Sequence, residues 1–183
     1  MYDPSLVPWG EVGYAVYKRT YSRQTADGKT EEWEDTVDRV IDACRDQLNV
    51  GFSQFEEGEL KKIMMELKGT VAGRFLWQLG TKTVDRLGLP SLQNCAFVVV
   101  DDPIRPFTWA FEMLMLGSGV GFNIQRENVY QLPKVKNRVK VERIDENDAD
   151  FIVPDSREGW VELLQRVLEA SFVTGEDFTY ATH

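Results

Sequence analysis

The chain has 183 residues, of which 43% are hydrophobic and 11% aromatic, so it is long enough to bury one hydrophobic core of ordinary size. Its apolar stretches are all shorter than the roughly 20 residues of a membrane span, and the first residues lack the basic and apolar parts of a secretion signal. The net charge of −9 argues against a nucleic-acid polymer as partner. Two cysteines are too few for a disulfide framework, and the composition predicts a cytoplasmic protein that contacts no membrane.

The N-terminal segment combines prolines and glycines with aromatic residues. Residues 1–29 are therefore predicted to form an irregular or hairpin-like lead-in, with a turn at 26–29. Apolar residues then recur at helical spacing, and a helix is predicted at 31–48 with Thr30 as its N-cap.

A second helix is predicted at 54–68. Ser53 and Glu56 have the spacing of a capping box, in which each side chain bonds to the backbone N–H of the other residue. The sequence thus predicts a mainly helical region over residues 1–90.

The pattern changes after Pro90, and residues 91–183 are predicted to form a different kind of structure. Residues 96–100 are a continuous apolar run, typical of a strand that is covered on both faces. A helix at 106–116 and a strand at 120–124 follow, and this order favours a parallel β-α-β unit.

Charged and apolar residues alternate in the next segment. Residues 135–144 are predicted to form a half-exposed strand or hairpin, closed by an acidic turn at 145–150. Because a sheet of only a few parallel strands has open edges, the chain is expected to be an incomplete α/β unit.

The last predicted helix spans 156–171. Asp155 and Glu158 are predicted to form its capping box, and Gly175 to cap its C-terminal end. A further short strand is expected at 177–182.

Cys95, at the head of the first apolar run, has two interpretations. It is either a small buried hydrophobic residue or a redox-active thiol, placed at a strand start next to the amide of Asn94. Cys44 falls on the apolar side of the first predicted helix, which favours a structural role.

The glycine-rich turn 117–121 also has two interpretations. It is either a structural turn or a loop whose backbone N–H groups approach a ligand, and it matches neither a P-loop nor a dinucleotide-binding motif. His183 is the only histidine, so the sequence offers no zinc-type cluster and no metal site is expected.

Six segments, in this order, resemble the N-terminal part of the monomeric class II ribonucleotide reductases. They are Arg19–Arg23, Glu32–Val37, Gly73–Thr81, Asn94–Val98, Gly117–Phe122 and Pro154–Trp160. The resemblance implies a helical region at 1–90, followed at 91–183 by the first strands of a ten-stranded α/β barrel that this chain does not complete.

The resemblance also implies a chemistry. In this family, homolysis of adenosylcobalamin leads to a cysteine thiyl radical, and two further cysteines reduce the ribonucleotide and end as a disulfide. Cys95 matches the first cysteine of that pair. The segments that resemble substrate-contacting parts of the family contain Arg74, Asn94, Gly117, Ser118 and Gly119.

The remaining functional residues of the family are expected outside this sequence. They are the radical cysteine, the second reducing cysteine and most of the cobalamin site, so a complementary chain or segment and an external dithiol are expected partners. Residues 100–111 leave no room for the effector-binding insertion of some monomeric members. Two alternatives are a non-catalytic half-barrel module that binds nucleotide or a partner protein, and a relative of the glycyl-radical enzymes.

Overall fold

The computed structural model describes residues 9–136, 138–145 and 148–182. The chain divides into two compact units, which we call the helical unit (up to Gln93) and the sheet unit (from Asn94). None of the helices in the described ranges is long and apolar enough to cross a membrane. His183, the only histidine, lies outside the described residues.

Five helices and a 3-10 turn make up the described part of the helical unit. They are α1 (Gly10–Thr20), α2 (Trp33–Asp46), α3 (Gln54–Met65), α4 (Gly73–Gln78), α5 (Lys82–Leu87) and the turn Leu89–Leu92. The predicted helices at 31–48 and 54–68 are confirmed as α2 and α3, with ends closer together than predicted. The core of the unit lies against the buried side of α2, where Val37, Val40 and Ile41 are almost fully enclosed.

The irregular or hairpin-like lead-in predicted for 1–29 is wrong over Gly10–Thr20, which form α1, whereas the segment after it is hairpin-like, with an antiparallel bridge between Gln24 and Thr30. Aromatic packing outweighs the glycines in α1, because Trp9 and Tyr17 make edge contacts with Trp33 at ring distances of 4.8 and 5.6 Å. The predicted turn after the helix is confirmed, since the Thr25 N–H donates to the Lys29 carbonyl at 2.8 Å. Residues 1–8 lie outside the described ones.

The helix starts were predicted with mixed success. Ser53 and Glu56 form the predicted capping box of α3. Thr30 is not the N-cap of α2. The N-cap is Glu32, which forms a capping box with Asp35. The side chain of each acid accepts a hydrogen bond from the backbone N–H of the other.

The described residues of the sheet unit form five strands, all paired in parallel. Its elements are β1 (Cys95–Val99), α6 (Arg105–Met115), β2 (Gly119–Asn123), α7 (Arg126–Val129), β3 (Val141–Arg143), β4 (Phe151–Val153), α8 (Arg157–Glu169), a π-helical turn (Ala170–Thr174) and β5 (Phe178–Thr182). The described strands form a two-stranded sheet, β1-β2, and a three-stranded sheet of order β3-β5-β4. The predicted parallel β-α-β unit is thus confirmed as β1-α6-β2.

The prediction that the first strand is covered on both faces is wrong. One face of β1 packs towards α6, whereas the other carries the exposed side chains of Cys95, Phe97 and Val99. The continuous apolar sequence of β1 therefore does not come from two covered faces within the described part of this chain.

The C-terminal half differs from its predictions at some elements and agrees at others. The predicted strand at 135–144 is reduced to β3, which pairs with β5 and not with a neighbouring hairpin strand, and β4 lies just after the predicted acidic turn. Ser156, and not Asp155, caps α8, because its side chain accepts from the Gly159 N–H at 3.0 Å. Gly175 ends the helical segment with a positive φ of 78°, as predicted. Residues 146–147 of the acidic turn lie outside the described ones.

Candidate functional site

Cys95 is the first residue of β1, and its side chain is exposed. Its partner in the parallel register is Gly119, the first residue of β2. The Gly119 N–H donates to the Asn94 carbonyl at 2.9 Å, which fixes the two strand starts next to each other. The structure thus brings Asn94, Cys95 and Gly119 together, and the alternative of a buried hydrophobic cysteine is wrong for the described chain.

The glycine-rich turn is held by the protein's own carbonyl groups. The N–H groups of Gly117 and Ser118 donate to Leu114 and Met113 at 2.8 and 2.9 Å, in addition to the bond from Gly119. Gly117 ends α6 with a φ of 84°, which favours glycine. All three N–H groups are thus engaged within the unit, and they do not form a cradle for phosphate.

The face of the β1-β2 sheet that carries Cys95 has a second feature that the sequence did not indicate. Phe97 lies on the same face, two residues further along the strand, and the residue is 64% exposed. Its register partner is Gly121. The sequence contains one indication of this. Phe97 stands two positions after Cys95 in an otherwise aliphatic run, and residues two apart in a strand share a face.

The opposite face of this sheet lines an apolar cavity of about 480 Å³. Val98 and Phe122 contribute from the strands, and Phe107 and Leu114 from α6. All the lining side chains are apolar, so the cavity offers no partner for a charged or strongly polar ligand.

Arg74 lies in the helical unit, whereas the other predicted site residues lie in the sheet unit. It is the second residue of α4, and its guanidinium donates to the Ser91 carbonyl at 3.0 Å. This contact ties α4 to the 3-10 turn that precedes the sheet unit.

Cys44 differs from Cys95 in its surroundings. It is half-buried on α2 and packs against the core of the helical unit, as predicted. Burial raises the pKa of its thiol, so the reactive thiolate is disfavoured.

A buried polar network supports the helical unit, and the sequence did not reveal it. Glu31, only 5% exposed, accepts hydrogen bonds from Arg39 and Thr36 at 2.6 and 2.7 Å. Arg39 also donates to the carbonyls of Leu76 and Leu79 around the end of α4. The network therefore joins α2, α4 and the segment before α2.

The described residues contain no cluster of three or more His, Cys, Asp or Glu side chains that could hold a metal ion. The apolar cavity beside the β1-β2 sheet does not fit a cobalamin, because the amide groups around a corrin ring need polar partners. We therefore assign no cobalamin ligand to this cavity.

Comparison with known proteins identifies the family. Residues 2–81 match the model of the ribonucleotide reductase alpha domain. The adenosylcobalamin-dependent ribonucleoside-triphosphate reductase of Lactobacillus leichmannii is 34% identical over 84% of this chain and 28% of its own length. A probable enzyme of the same name from Dictyostelium discoideum is 33% identical over 90% of this chain and 25% of its own length. The chain belongs to the ribonucleotide reductase family.

A solved structure agrees with this assignment. The crystal structure of a B12-dependent, class II ribonucleotide reductase matches 96% of this chain and 32% of that chain, with a TM-score of 0.76 and 27% identity. The resemblance seen in the sequence is thus confirmed. The chain spans between a quarter and a third of the length of these relatives.

Proposed function

We propose that this chain is the N-terminal portion of an adenosylcobalamin-dependent reductase that converts ribonucleoside triphosphates to deoxyribonucleotides. The observation that carries the proposal is the 34% identity to such a reductase over 84% of the chain. Residues 1–90 are the helical region, and residues 91–183 are the opening strands of a ten-stranded α/β barrel. The apolar cavity and the unpaired strand edges of the two small sheets support a barrel that further strands complete.

Cys95 is proposed as one of the two reducing cysteines. In the overall reaction, two thiols give up two electrons and two protons and become a disulfide. The 2′ C–O bond of the ribose breaks, the hydroxyl takes one proton and leaves as water, and the two electrons and the other proton form the new C–H bond at C2′. This role requires a thiol that reaches the substrate and a second thiol. The exposed position of Cys95 at a strand start supports the first requirement.

The second thiol is proposed to lie elsewhere in the reductase. Cys44 is the only other cysteine of this sequence, and it is half-buried against the core of the helical unit. The thiyl-radical cysteine is likewise assigned to the remaining part, which also holds the adenosylcobalamin that supplies the radical. An external dithiol then returns the disulfide to two thiols.

The other predicted substrate-binding residues are proposed in more limited roles. Because the N–H groups of Gly117, Ser118 and Gly119 are engaged, these residues are proposed to shape the surface beside Cys95 and not to bind phosphate through those groups. Asn94 holds the start of β2 through its carbonyl. Arg74 is proposed to contact substrate in the complete reductase while it is tied to Ser91.

The test is reconstitution of the chain with the remaining part of the reductase. Formation of deoxynucleotide from a ribonucleoside triphosphate is expected with adenosylcobalamin and a dithiol, and none is expected from this chain alone. Nucleotide binding without any reduction in the complete protein would contradict the proposal and favour a non-catalytic binding module.

A further inference from the structure

The face of the β1-β2 sheet that carries Cys95 has an uneven surface. Cys95 and Phe97 project from β1, whereas their register partners on β2 are Gly119 and Gly121, which have no side chains. Where a strand has glycines, the backbone itself forms the surface of the sheet. At these two register positions, only the thiol and the phenyl ring project from this face of the sheet.

The two glycines have different surroundings. A β-carbon on Gly121 would lie 3.1 Å from Cδ2 of Phe97, so the phenyl ring lies across the sheet onto that glycine. A β-carbon on Gly119 would meet nothing closer than the Asn94 carbonyl oxygen at 3.8 Å. The space beside Cys95 is therefore open, and the ring of Phe97 lies at the next register position along it.

We propose that Phe97 is a substrate-contacting residue, whose ring packs against the ribose and holds the sugar over Gly119 beside the Cys95 thiol. This inference rests on the proposed function of Cys95. A sugar presents apolar C–H groups on its faces, and a flat aromatic ring offers them contact area at low conformational cost. The missing side chain at position 119 lets the sugar approach the backbone closely.

The experiment uses the complete reductase that contains this chain, with CTP as the probe. The Kd for CTP is measured by calorimetry on the oxidised enzyme, which cannot turn over, and kcat and KM are measured with adenosylcobalamin and a dithiol. Phe97→Ala is expected to raise both the Kd and KM at least about fivefold, the effect of losing one aromatic contact. Phe97→Tyr, which keeps the ring, is expected to stay within about twofold of the unchanged enzyme.

The matched control is Phe122→Ala. Phe122 is a phenylalanine of the same sheet with nearly the same exposure, 61%, but it lies on the opposite face and lines the apolar cavity. Its replacement is expected to lower Tm and to leave the Kd for CTP within about twofold, because it does not share a face with Cys95.

Two results would overturn the inference. One is an unchanged Kd for CTP in Phe97→Ala, whatever its Tm, since Phe97 would then only pack against other parts of the protein. The other is an unchanged enzyme that does not bind CTP. If CTP binds and Phe97→Ala weakens its binding, but no deoxynucleotide forms, the contact of Phe97 with the nucleotide stands, whereas the proposed reductase function, and with it the reducing role of Cys95, fails.

Discussion

The guanidinium of Arg39 donates two hydrogen bonds to the carboxylate of Glu31, from Nε to Oε1 at 2.6 Å and from Nη2 to Oε2 at 3.0 Å. Both side chains are largely enclosed, with 14% and 6% of their surface exposed. Such a pair costs much desolvation, so its value depends on further bonds that satisfy the remaining donors and acceptors. Those bonds are present, from Thr36 to Glu31 and from Arg39 to the carbonyls at the end of α4.

Removal of one partner should therefore destabilise the helical unit strongly. Arg39→Met leaves the Glu31 carboxylate buried without its cation, and we expect a loss of about 3–5 kcal/mol in the free energy of unfolding, measured by urea denaturation. Arg45→Met is the control, because Arg45 lies on the same helix but pairs with acids at the surface, and it should cost only about 0–1 kcal/mol. Equal losses in the two variants would mean that the buried pair contributes no more to the free energy of unfolding than the surface pairs do.

The same pair should make stability depend on pH. Burial acts to raise the pKa of Glu31, but hydrogen bonds from Arg39 and Thr36 outweigh it, and the pKa in the folded protein lies below its ordinary value. The contribution of Glu31 is then fully present above the unfolded-state pKa, roughly 4.3, and is lost as the pH falls through the folded-state pKa. Tm measured from about pH 7 to about pH 3 should fall less steeply in Glu31→Gln, which lacks the titrating group, than in the unchanged chain.

Gly80 should not tolerate a side chain. Its φ is 77°, and a β-carbon there would lie 2.6 Å from Cγ of Arg39. Gly80→Ala should therefore cost about 1–2 kcal/mol for the left-handed backbone and about 1–3 kcal/mol more for the overlap. Gly28→Ala has a similar φ of 82° with open space around the new methyl group, so it should show the backbone cost alone. Thermal unfolding of both variants checks the difference, and equal Tm values would contradict it.

Two helical glycines should respond to alanine with opposite signs. In α8, a β-carbon on Gly159 would lie 2.5 Å from the Pro154 carbonyl oxygen, so Gly159→Ala should destabilise by about 1–3 kcal/mol. In α3, Gly58 has nothing within 4 Å, and Gly58→Ala should stabilise by about 0.5–1 kcal/mol because alanine favours the helix. Chemical denaturation of the two variants measures both effects, and a stabilised Gly159→Ala would show that α8 moves away from Pro154 without cost.

The two cysteines should differ in reactivity and in function. Under native conditions, iodoacetamide should modify the exposed Cys95 at least about tenfold faster than the half-buried Cys44, followed by mass spectrometry of the peptides. In the complete reductase, Cys95→Ser should reduce multiple-turnover activity to background, whereas Cys44→Ser should change stability at most. Full turnover by Cys95→Ser, or a Cys44–Cys95 disulfide in oxidised protein, would assign the chemistry to another residue.

Local patterns predicted those parts of the fold that local interactions decide. The helical spacing in α2 and α3, the capping box at Ser53 and the strand–helix–strand order around α6 all depend on neighbours in sequence. α1 was missed because its stability comes from aromatic contacts with Trp33, which are distant in sequence.

The candidate site shows the same division. The position of Cys95 at a strand start followed from the pattern, but its meeting with Gly119 depends on the register of two strands that a helix separates. The packing of the Phe97 ring against Gly121 depends on that register as well. The burial of the pair of Glu31 and Arg39 was not predicted, because it depends in part on α4, which is distant in sequence and whose Leu76 carbonyl accepts from Arg39.

The parallel pairing of the five strands within the described residues has a consequence for how the chain folds. A parallel pair such as Cys95 and Gly119 forms only after the intervening helix has folded back, so the entropy of loop closure is spent before any ladder hydrogen bond is gained. Within the helical unit, the ion pair of Arg45 with Glu57 between α2 and α3 joins residues that are closer in sequence than that strand pair. The helical unit also leaves the ribosome first. We therefore expect the strands that carry Cys95 and Phe97 to pair after α2 and α3 have met.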